Sequence, residues 1–249
     1  LILALICSVL LIPIEAQAEE KNREDLYTLA LGGRAYDNWM GLLSYRDLSL
    51  RNLDKRRYLM SHPLYPKEGA KRGLTTWRCK ECHGWDYRGA DGAYGTGSHA
   101  TGIKGVRHMV GKDPAQVIAI IRNKLHRYNE KMIDPETAEA LAMFITKGQV
   151  DMTRHINDDT KKIRGNPKRG EPSFQAVCAI CHGMDGRKIN FKTVDRPEFL
   201  GTVTRHNPWE AFHKIRNGHP GKDMVSMRAI PIQAQVDILA YIRANLPER

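Results

Sequence analysis

Two short motifs of cysteine and histidine have the clearest chemical meaning in this chain. The first reads Cys79-Lys80-Glu81-Cys82-His83 and the second reads Cys178-Ala179-Ile180-Cys181-His182. Cys-X-X-Cys-His is the attachment pattern of haem c, in which both thiols form thioether bonds and the histidine binds the iron as its proximal ligand. We therefore expect two covalently attached haem c groups. The expected attachment residues are Cys79, Cys82, Cys178 and Cys181, and the expected proximal iron ligands are His83 and His182.

A zinc site and a redox dithiol are the other common uses of a Cys-X-X-Cys pair. A zinc site would combine the two pairs, or add histidines at finger-like spacing, and a dithiol does not need a histidine after its second cysteine. The chain has five cysteines, and all except Cys7 belong to the two motifs. No cysteine is thus left for a disulfide, and both alternatives are disfavoured against two haems.

The first residues form an apolar leader. Leu1 to Ile14 are almost wholly apolar, and Ala16-Gln17-Ala18 has the small-X-small form of a signal peptidase site. An apolar run that short falls below the roughly 20 residues that a bilayer-spanning helix needs, so cleavage is favoured over an uncleaved anchor. We expect residues 1–18 to be a signal peptide and the protein to be periplasmic, with association with a membrane left open.

The chain is strongly basic, with 39 Lys+Arg against 28 Asp+Glu and a formal net charge of +11. A basic surface attracts acidic proteins and raises the rate at which they meet. The basic residues are scattered rather than gathered in one arm, and an exported haem protein has little access to nucleic acid. We expect acidic redox proteins as partners, no nucleic acid and no small-molecule substrate.

The two halves of the chain repeat each other beyond the motifs. In each half a proline begins a helical stretch that closes on Ile-Arg-Asn, at Pro114 to Asn123 and at Pro208 to Asn217. Later, apolar residues recur at helical spacing around 138–145 and 236–242. Strand signals are weak everywhere, so the sequence predicts an all-α fold.

With these features the chain resembles class I c-type cytochromes, arranged in tandem as in cytochrome c4 and the dihaem cytochrome c subunits of respiratory complexes. The likeness is most specific from Gly170 to Leu246. There Gly170 and Phe174 precede the second motif as the family's first helix does, and Tyr241 is expected to pack against that helix. The family fold has a first helix running into the haem motif, a loop region, and a C-terminal helix crossing the first.

The resemblance implies two consecutive class I cytochrome c-like haem domains, at residues 66–149 and 168–249, joined by a polar linker at 150–167. Residues 19–65 are expected to be an N-terminal helical extension, with a helix from Glu24 to Leu43 that Gly32-Gly33-Arg34 interrupts. The first half matches the family less well. The extension is therefore expected to cover the first haem domain, where that domain's own first helix is weak.

The resemblance also implies a loop methionine as the second axial ligand of each iron. Met132 and Met224 lie in corresponding loops of the two halves, each before the last helix of its domain, and are the predicted ligands. Met227 is the near alternative to Met224, one helical turn away, and Met109 is ambiguous between a ligand and a core residue. Histidine ligation stays open, because His126 and His219 lie in the same two loops.

For the function, the resemblance implies transfer of single electrons between redox partners in a respiratory or lithotrophic chain. One alternative is a dihaem enzyme similar to thiosulfate dehydrogenases or peroxidases; another is a haem subunit of a larger membrane-bound or extracellular assembly. Thiosulfate dehydrogenases typically use a distal cysteine, which this chain cannot spare, and nothing marks the acid/base pocket of a peroxidase. An electron carrier is therefore favoured over an enzyme.

Overall fold

The computed structural model describes residues 14–46 and 60–248. The α-helices of these two ranges are α1 Ile14–Arg46, α2 Cys79–His83, α3 Pro114–Arg122, α4 Pro135–Met143, α5 Pro167–Ser173, α6 Ala179–His182, α7 Leu200–His206, α8 Pro208–Asn217 and α9 Ile232–Asn245. Within the same ranges the only β-structure consists of isolated bridges, Gly89 with Lys104 and Ile156 with Ile163. The predicted all-α class is confirmed for this part of the chain.

Helices α3, α4, α5 and α8 begin in the same way. Each has an Asp or Asn at its N-cap and a proline in its first turn, the caps being Asp113, Asp134, Asn166 and Asn207. The cap side chain accepts a hydrogen bond from an otherwise unpaired amide of the first turn. Proline suits this turn because its φ is already helical and its missing N–H has no partner to lose. These local signals fix where the helices begin.

In the second half, α5 crosses α9 at a very short distance. A Cβ atom added to Gly170 would lie 2.0 Å from the carbonyl oxygen of Asp237, so only glycine fits at the crossing. Beside it the rings of Phe174 and Tyr241 lie 5.3 Å apart, centroid to centroid. The expected contact between Tyr241 and the helix before the motif is therefore present.

The first half contains a matching crossing, formed by α1 and α4. A Cβ atom added to Gly32 would lie 1.9 Å from the Ala140 carbonyl oxygen. The rings of Tyr36 and Phe144 lie 5.7 Å apart beside it. Helix α1 thus packs on α4 as α5 packs on α9, although it belongs to the segment expected to be an extension.

The expected interruption of α1 at its paired glycines is wrong. The helix continues through both glycines, and its non-helical residue is Asn38, with φ −160° and ψ 87°. The physical reason is close packing on both sides of α1. A Cβ atom on Gly32 would strike α4, and one on Gly33 would lie 2.3 Å from the side chain of Asn217 in α8.

A buried polar junction joins the two halves. The ring of His213, in α8, accepts a hydrogen bond at Nδ1 from the Tyr87 hydroxyl (2.8 Å) and donates from Nε2 to the Gly33 carbonyl (2.9 Å). Arg228 donates to the Gly148 carbonyl (3.0 Å) and to the side chain of Asn217 (2.7 Å). Because these groups are buried and paired across the halves, the halves pack in one defined arrangement.

The segment expected to be a polar linker, residues 150–167, is packed against the rest of the protein. Its apolar side chains are buried, namely Val150, Met152, Ile156 and Ile163. The bridge between Ile156 and Ile163 folds the segment back on itself. It connects the halves without acting as an exposed spacer, and the domain boundaries placed around it stay a prediction.

Most of the predicted signal peptide, residues 1–13, lies outside the described residues, and α1 begins at Ile14. None of the described helices is long and apolar enough to span a bilayer.

Candidate haem sites

The first motif forms the short helix α2. Its cysteines and histidine occupy positions i, i+3 and i+4 of one turn, which lie on one face of a helix. Gly84 ends the helix with a φ of +76°, a conformation that favours glycine. Cys79, Cys82 and His83 together line a cavity of about 290 Å³. The three side chains that the sequence assigns to the first haem are therefore brought to one wall.

The ring of His83 is held in one orientation. Its Nδ1 donates a hydrogen bond to the Lys104 carbonyl oxygen at 2.7 Å, which leaves Nε2 with the lone pair that a metal needs. Burial lowers the pKa of His83 to about 4, against the opposing effect of that carbonyl. The imidazole is thus neutral and oriented as an iron ligand must be.

The rest of the cavity wall is mainly apolar. Its aliphatic side chains come from several elements of the first half: Leu64, Ile103, Val106, Val117, Ile121, Leu141 and Ile145. Tyr36 and Tyr128 also line it, and their hydroxyls are occupied by donation to the carbonyls of Gly84 (2.6 Å) and Trp77 (2.8 Å). An apolar wall beside two thiols and a neutral imidazole fits a covalently bound porphyrin.

A second histidine lies near His83 in the lining of this cavity. The ring of His126 lies 6.3 Å from the ring of His83, centroid to centroid, and the two ring planes are inclined by 22°. His126 is half-buried and lines the cavity. Burial lowers its pKa, and the nearby ring of His62 adds to this effect. His126 therefore brings a second imidazole, whose pKa is lowered, close to the expected proximal ligand.

Met132 has a different position. Its side chain is 3% exposed and belongs to the hydrophobic core. The described residues that line the cavity include Met109 and His126 but not Met132. The assignment of Met132 as an iron ligand stays a prediction.

The second motif follows α5 without a break. A π-helical turn, Phe174–Cys178, leads directly into α6, and Gly183 ends that helix with a φ of +81°. The Nδ1 nitrogen of His182 is buried and has no hydrogen-bond partner among the described residues. Leaving a buried imidazole nitrogen without a partner costs free energy of folding. The ring of Phe191 lies 6.2 Å from the ring of His182, centroid to centroid.

Large apolar side chains surround the second motif and are open to solvent. They are Val177, Ile180, Met184, Ile189, Phe191 and Val194, with Ile180 69% and Val194 90% exposed. A group of exposed apolar side chains within one short segment indicates a surface that something covers. A porphyrin attached at Cys178 and Cys181 would lie against this segment, so the residues present fit the group.

Met224 lies half-buried in the loop between α8 and α9. Its carbonyl oxygen accepts a hydrogen bond from Arg34 at 3.2 Å, so α1 helps to hold this loop. Met227, the near alternative, is partly buried against the core. In the same loop, Nδ1 of His219 donates to the Pro220 carbonyl at 2.8 Å. Ligation of iron by Met224 stays a prediction.

Three of the motif thiols have a raised pKa, whereas the reactive thiol of a redox dithiol has a lowered one. Burial raises the pKa of both Cys79 and Cys82 to about 12 and that of Cys178 to about 11. Catalytic dithiols depend instead on a thiol with a lowered pKa. Burial of Cys79, Cys82 and Cys178 thus disfavours thiol–disulfide exchange by these thiols.

The sequence did not identify the groups that position the two facing histidines. His83 is oriented by the backbone carbonyl of Lys104, and a backbone group cannot be recognised from the residue type at that position. His62 lies in a Pro-rich segment far from the motif, yet its Nε2 donates to the His126 carbonyl at 3.0 Å. The sequence did not show which histidine lies near His83, since His126 is one of several histidines in the loops of the first half.

A comparison with known protein families found a match within the second half of the chain. Residues 165–242 match the family model of the cytochrome c oxidase, cbb3-type, subunit III. No curated protein and no solved structure matches the chain. The matched part contains the whole second motif and the crossing of α5 with α9. The match supports a c-type cytochrome domain in this part of the chain, which implies covalently bound haem c and suggests electron transfer.

Proposed function

We propose that this protein is an exported dihaem c-type cytochrome that transfers single electrons between redox partners of a respiratory or lithotrophic chain. Cys79 and Cys82 hold the first haem and His83 binds its iron; Cys178, Cys181 and His182 do the same for the second. When bound, each haem supplies a reversible one-electron iron couple. The residues of the chain attach it, orient its ligands and exclude water.

The observation that carries this proposal is the matching construction of the two halves. Each motif lies beside a pair of crossing helices, with glycine at the contact (Gly32 or Gly170) and an aromatic pair next to it. The second half matches a cytochrome family model on its own. The likeness of the first half to the second supports two cytochrome c-like haem domains. On this view α1 is the first helix of the first domain.

Ligation of the second iron by Met224 belongs to the same proposal. A thioether favours ferrous iron, so His/Met ligation gives a higher potential than ligation by two histidines. That suits a carrier at the oxidising end of an electron-transfer chain.

Export and partners are further parts of the proposal. The apolar leader supports a periplasmic location, where haem c is attached. The net charge of +11 favours acidic donor and acceptor proteins. The matched family is a subunit of cbb3-type cytochrome c oxidase, which supports association with a membrane-bound respiratory complex.

A reductive titration of the purified full-length holoprotein tests the function. We expect uptake of two electrons per chain, fully reversible with an oxidant. Both irons should be six-coordinate and low-spin in the oxidised and reduced protein, with no binding of carbon monoxide to the reduced form.

Two results would contradict the carrier proposal. A persistent high-spin iron that binds carbon monoxide would indicate an open coordination position, as an enzyme needs. Turnover of peroxide or thiosulfate by the same preparation would indicate a dihaem enzyme. Cys79→Ala/Cys82→Ala and Cys178→Ala/Cys181→Ala serve as matched controls, each expected to remove one electron from the titration.

A further inference from the structure

We propose that His126 is the second axial ligand of the first iron, opposite His83. The two halves of the protein then differ in ligation, with two histidines in the first site. This inference rests on the proposed attachment of haem at Cys79 and Cys82.

The geometry of the two rings carries the proposal. Their centroids lie 6.3 Å apart and their planes are inclined by only 22°. Two metal–imidazole bonds of about 2 Å, together with the distance from each nitrogen to its ring centre, place the centroids of two opposed ligands about 6 Å apart. The observed separation therefore leaves room for one metal ion between the rings.

The loop of His126 is held in place by several hydrogen bonds. The Asn123 side chain accepts from the backbone amides of Leu125 (2.9 Å) and His126 (3.0 Å). His62 fixes the other side of the residue by donating from Nε2 to the His126 carbonyl. These hydrogen bonds fix the backbone that carries the His126 ring, so the loop itself loses little freedom when the metal binds.

The other histidines near the cavity are less suited to bind the iron. Both ring nitrogens of His62 are occupied, since Nδ1 accepts from the Leu64 amide (3.2 Å) while Nε2 donates to His126. His108 is disfavoured by its exposure to solvent, although donation from its Nδ1 to the Gly105 carbonyl (3.0 Å) leaves its Nε2 free. Neither of these rings stacks with the ring of His83 as the ring of His126 does.

Two methionines are the remaining rivals. Met132 lies in the core, outside the set of residues that line the cavity, whereas Met109 does line it. Met109 lies shortly after Lys104 in the chain, and the Lys104 carbonyl orients His83. Met109 is therefore a second possible ligand within the cavity lining. The experiment must therefore separate His126 from both methionines.

The first test uses the unaltered holoprotein. The methionine–iron charge-transfer band of the oxidised protein is measured against the haem content of the same sample. If His126 binds the first iron, the band should be no stronger than that expected for one methionine-ligated iron per two haems. A band with the strength of two methionine-ligated irons would overturn the inference, and this result does not depend on how any variant folds.

The second test compares variants of similar size. His126→Leu should convert one of the two low-spin irons to high-spin, seen by low-temperature electron paramagnetic resonance, and added imidazole should reverse the change. Met109→Leu and Met132→Leu should leave the first iron unchanged. If His126→Leu kept both irons low-spin, or if either methionine variant produced the high-spin signal, the assignment would be wrong.

Failure of this inference is distinct from failure of the proposed function. A protein with two haems and two methionine-ligated irons would contradict the His126 assignment and leave a dihaem carrier intact. A protein with fewer than two haems would contradict the proposed function itself.

Discussion

At the scale of single residues, this protein depends on histidines whose two ring nitrogens have separate tasks. In His83 one nitrogen is occupied by the Lys104 carbonyl, and the other is free for a metal. In His213 both nitrogens are used for structure, one with Tyr87 and one with Gly33. The same residue type is thus proposed to bind iron in one place and packs the two halves together in another, and its hydrogen-bond partners decide which.

The His213 junction predicts a dependence of stability on pH. Burial lowers the pKa of His213 to about 4, below the ordinary value of 6.5 in the unfolded chain. The unfolded state then binds more protons between these two values, so the stability contributed by neutral His213 is complete above about pH 6.5 and is lost as the pH falls towards 4. The free energy of unfolding should fall by up to about 3 kcal/mol over this range because of this group.

Denaturant unfolding of the holoprotein at several pH values measures this effect. His213→Gln should be less stable at neutral pH and should have a shallower pH dependence than the unaltered protein. His206→Gln, at an exposed position, is the matched control and should behave as the unaltered protein does. Parallel curves for the unaltered protein and His213→Gln would show that His213 does not titrate in this way.

The sequence predicts some single residues and misses others for a physical reason. The sequence predicts the two motifs because the spacing of their residues along the chain defines them. The same holds for the set formed by Gly170, Phe174 and Tyr241. The approach of His126 to His83 is not readable. It depends on the fold of a loop, on a backbone carbonyl that orients His83, and on His62 from a distant segment.

At the scale of elements, the fold is built on two helix crossings in which glycine allows two backbones to touch. The crossing of α5 with α9 was predictable because Gly170 and Phe174 directly precede the second motif. The crossing of α1 with α4 was not, since Gly32 and Tyr36 are separated from Cys79 by a long insertion. The same Gly-X-X-X-aromatic pattern in both helices is the signal that could have identified it.

Replacing the glycine at a crossing should destabilise the protein. In Gly32→Ala the new methyl group would lie 1.9 Å from the Ala140 carbonyl, so α1 must move away from α4. Overpacking of this kind typically costs about 1–3 kcal/mol, which corresponds to roughly 2–4 °C in the thermal midpoint per kcal/mol at this chain length. Gly170→Ala should have a similar effect through α9.

Gly41→Ala is the control within α1. The nearest atom to its added Cβ is the side-chain nitrogen of Asn38 at 3.2 Å, so a small adjustment accommodates it. Differential scanning calorimetry should show a midpoint close to that of the unaltered protein. A Gly32→Ala protein as stable as Gly41→Ala would contradict the close crossing.

At the scale of the whole molecule, the two halves contain similar helix crossings and are joined by buried hydrogen bonds, but they need not have the same redox properties. If His126 and Met224 are the distal ligands, the first site has the lower potential, because a thioether favours ferrous iron more than an imidazole does. Electrons would then move downhill from the first site to the second.

The difference in ligation predicts two separate redox transitions. Spectroelectrochemical titration should resolve two one-electron steps, with the lower assigned to the first site. His126→Met should raise the lower step and leave the upper one near its original value. A single unresolved transition in the unaltered protein, or a rise of the upper step in the variant, would contradict the ligand difference.

The basic surface predicts the salt dependence of electron exchange. With a net charge of +11, oxidation of the reduced protein by an anionic reagent such as ferricyanide should slow as ionic strength rises. A cationic cobalt complex should show the opposite trend, and it serves as the control for general salt effects. The same slope for both reagents in stopped-flow experiments would show that surface charge does not steer the encounter.

The intact mass of the mature protein, produced in a host that attaches haem c, tests the central claim most directly. We predict the mass of the polypeptide plus two haems under denaturing conditions, which only covalent attachment survives. Cys79→Ala/Cys82→Ala and Cys178→Ala/Cys181→Ala should each lose one haem and keep the other. A mass with one haem or none in the unaltered protein would contradict the assignment of two covalent haem sites.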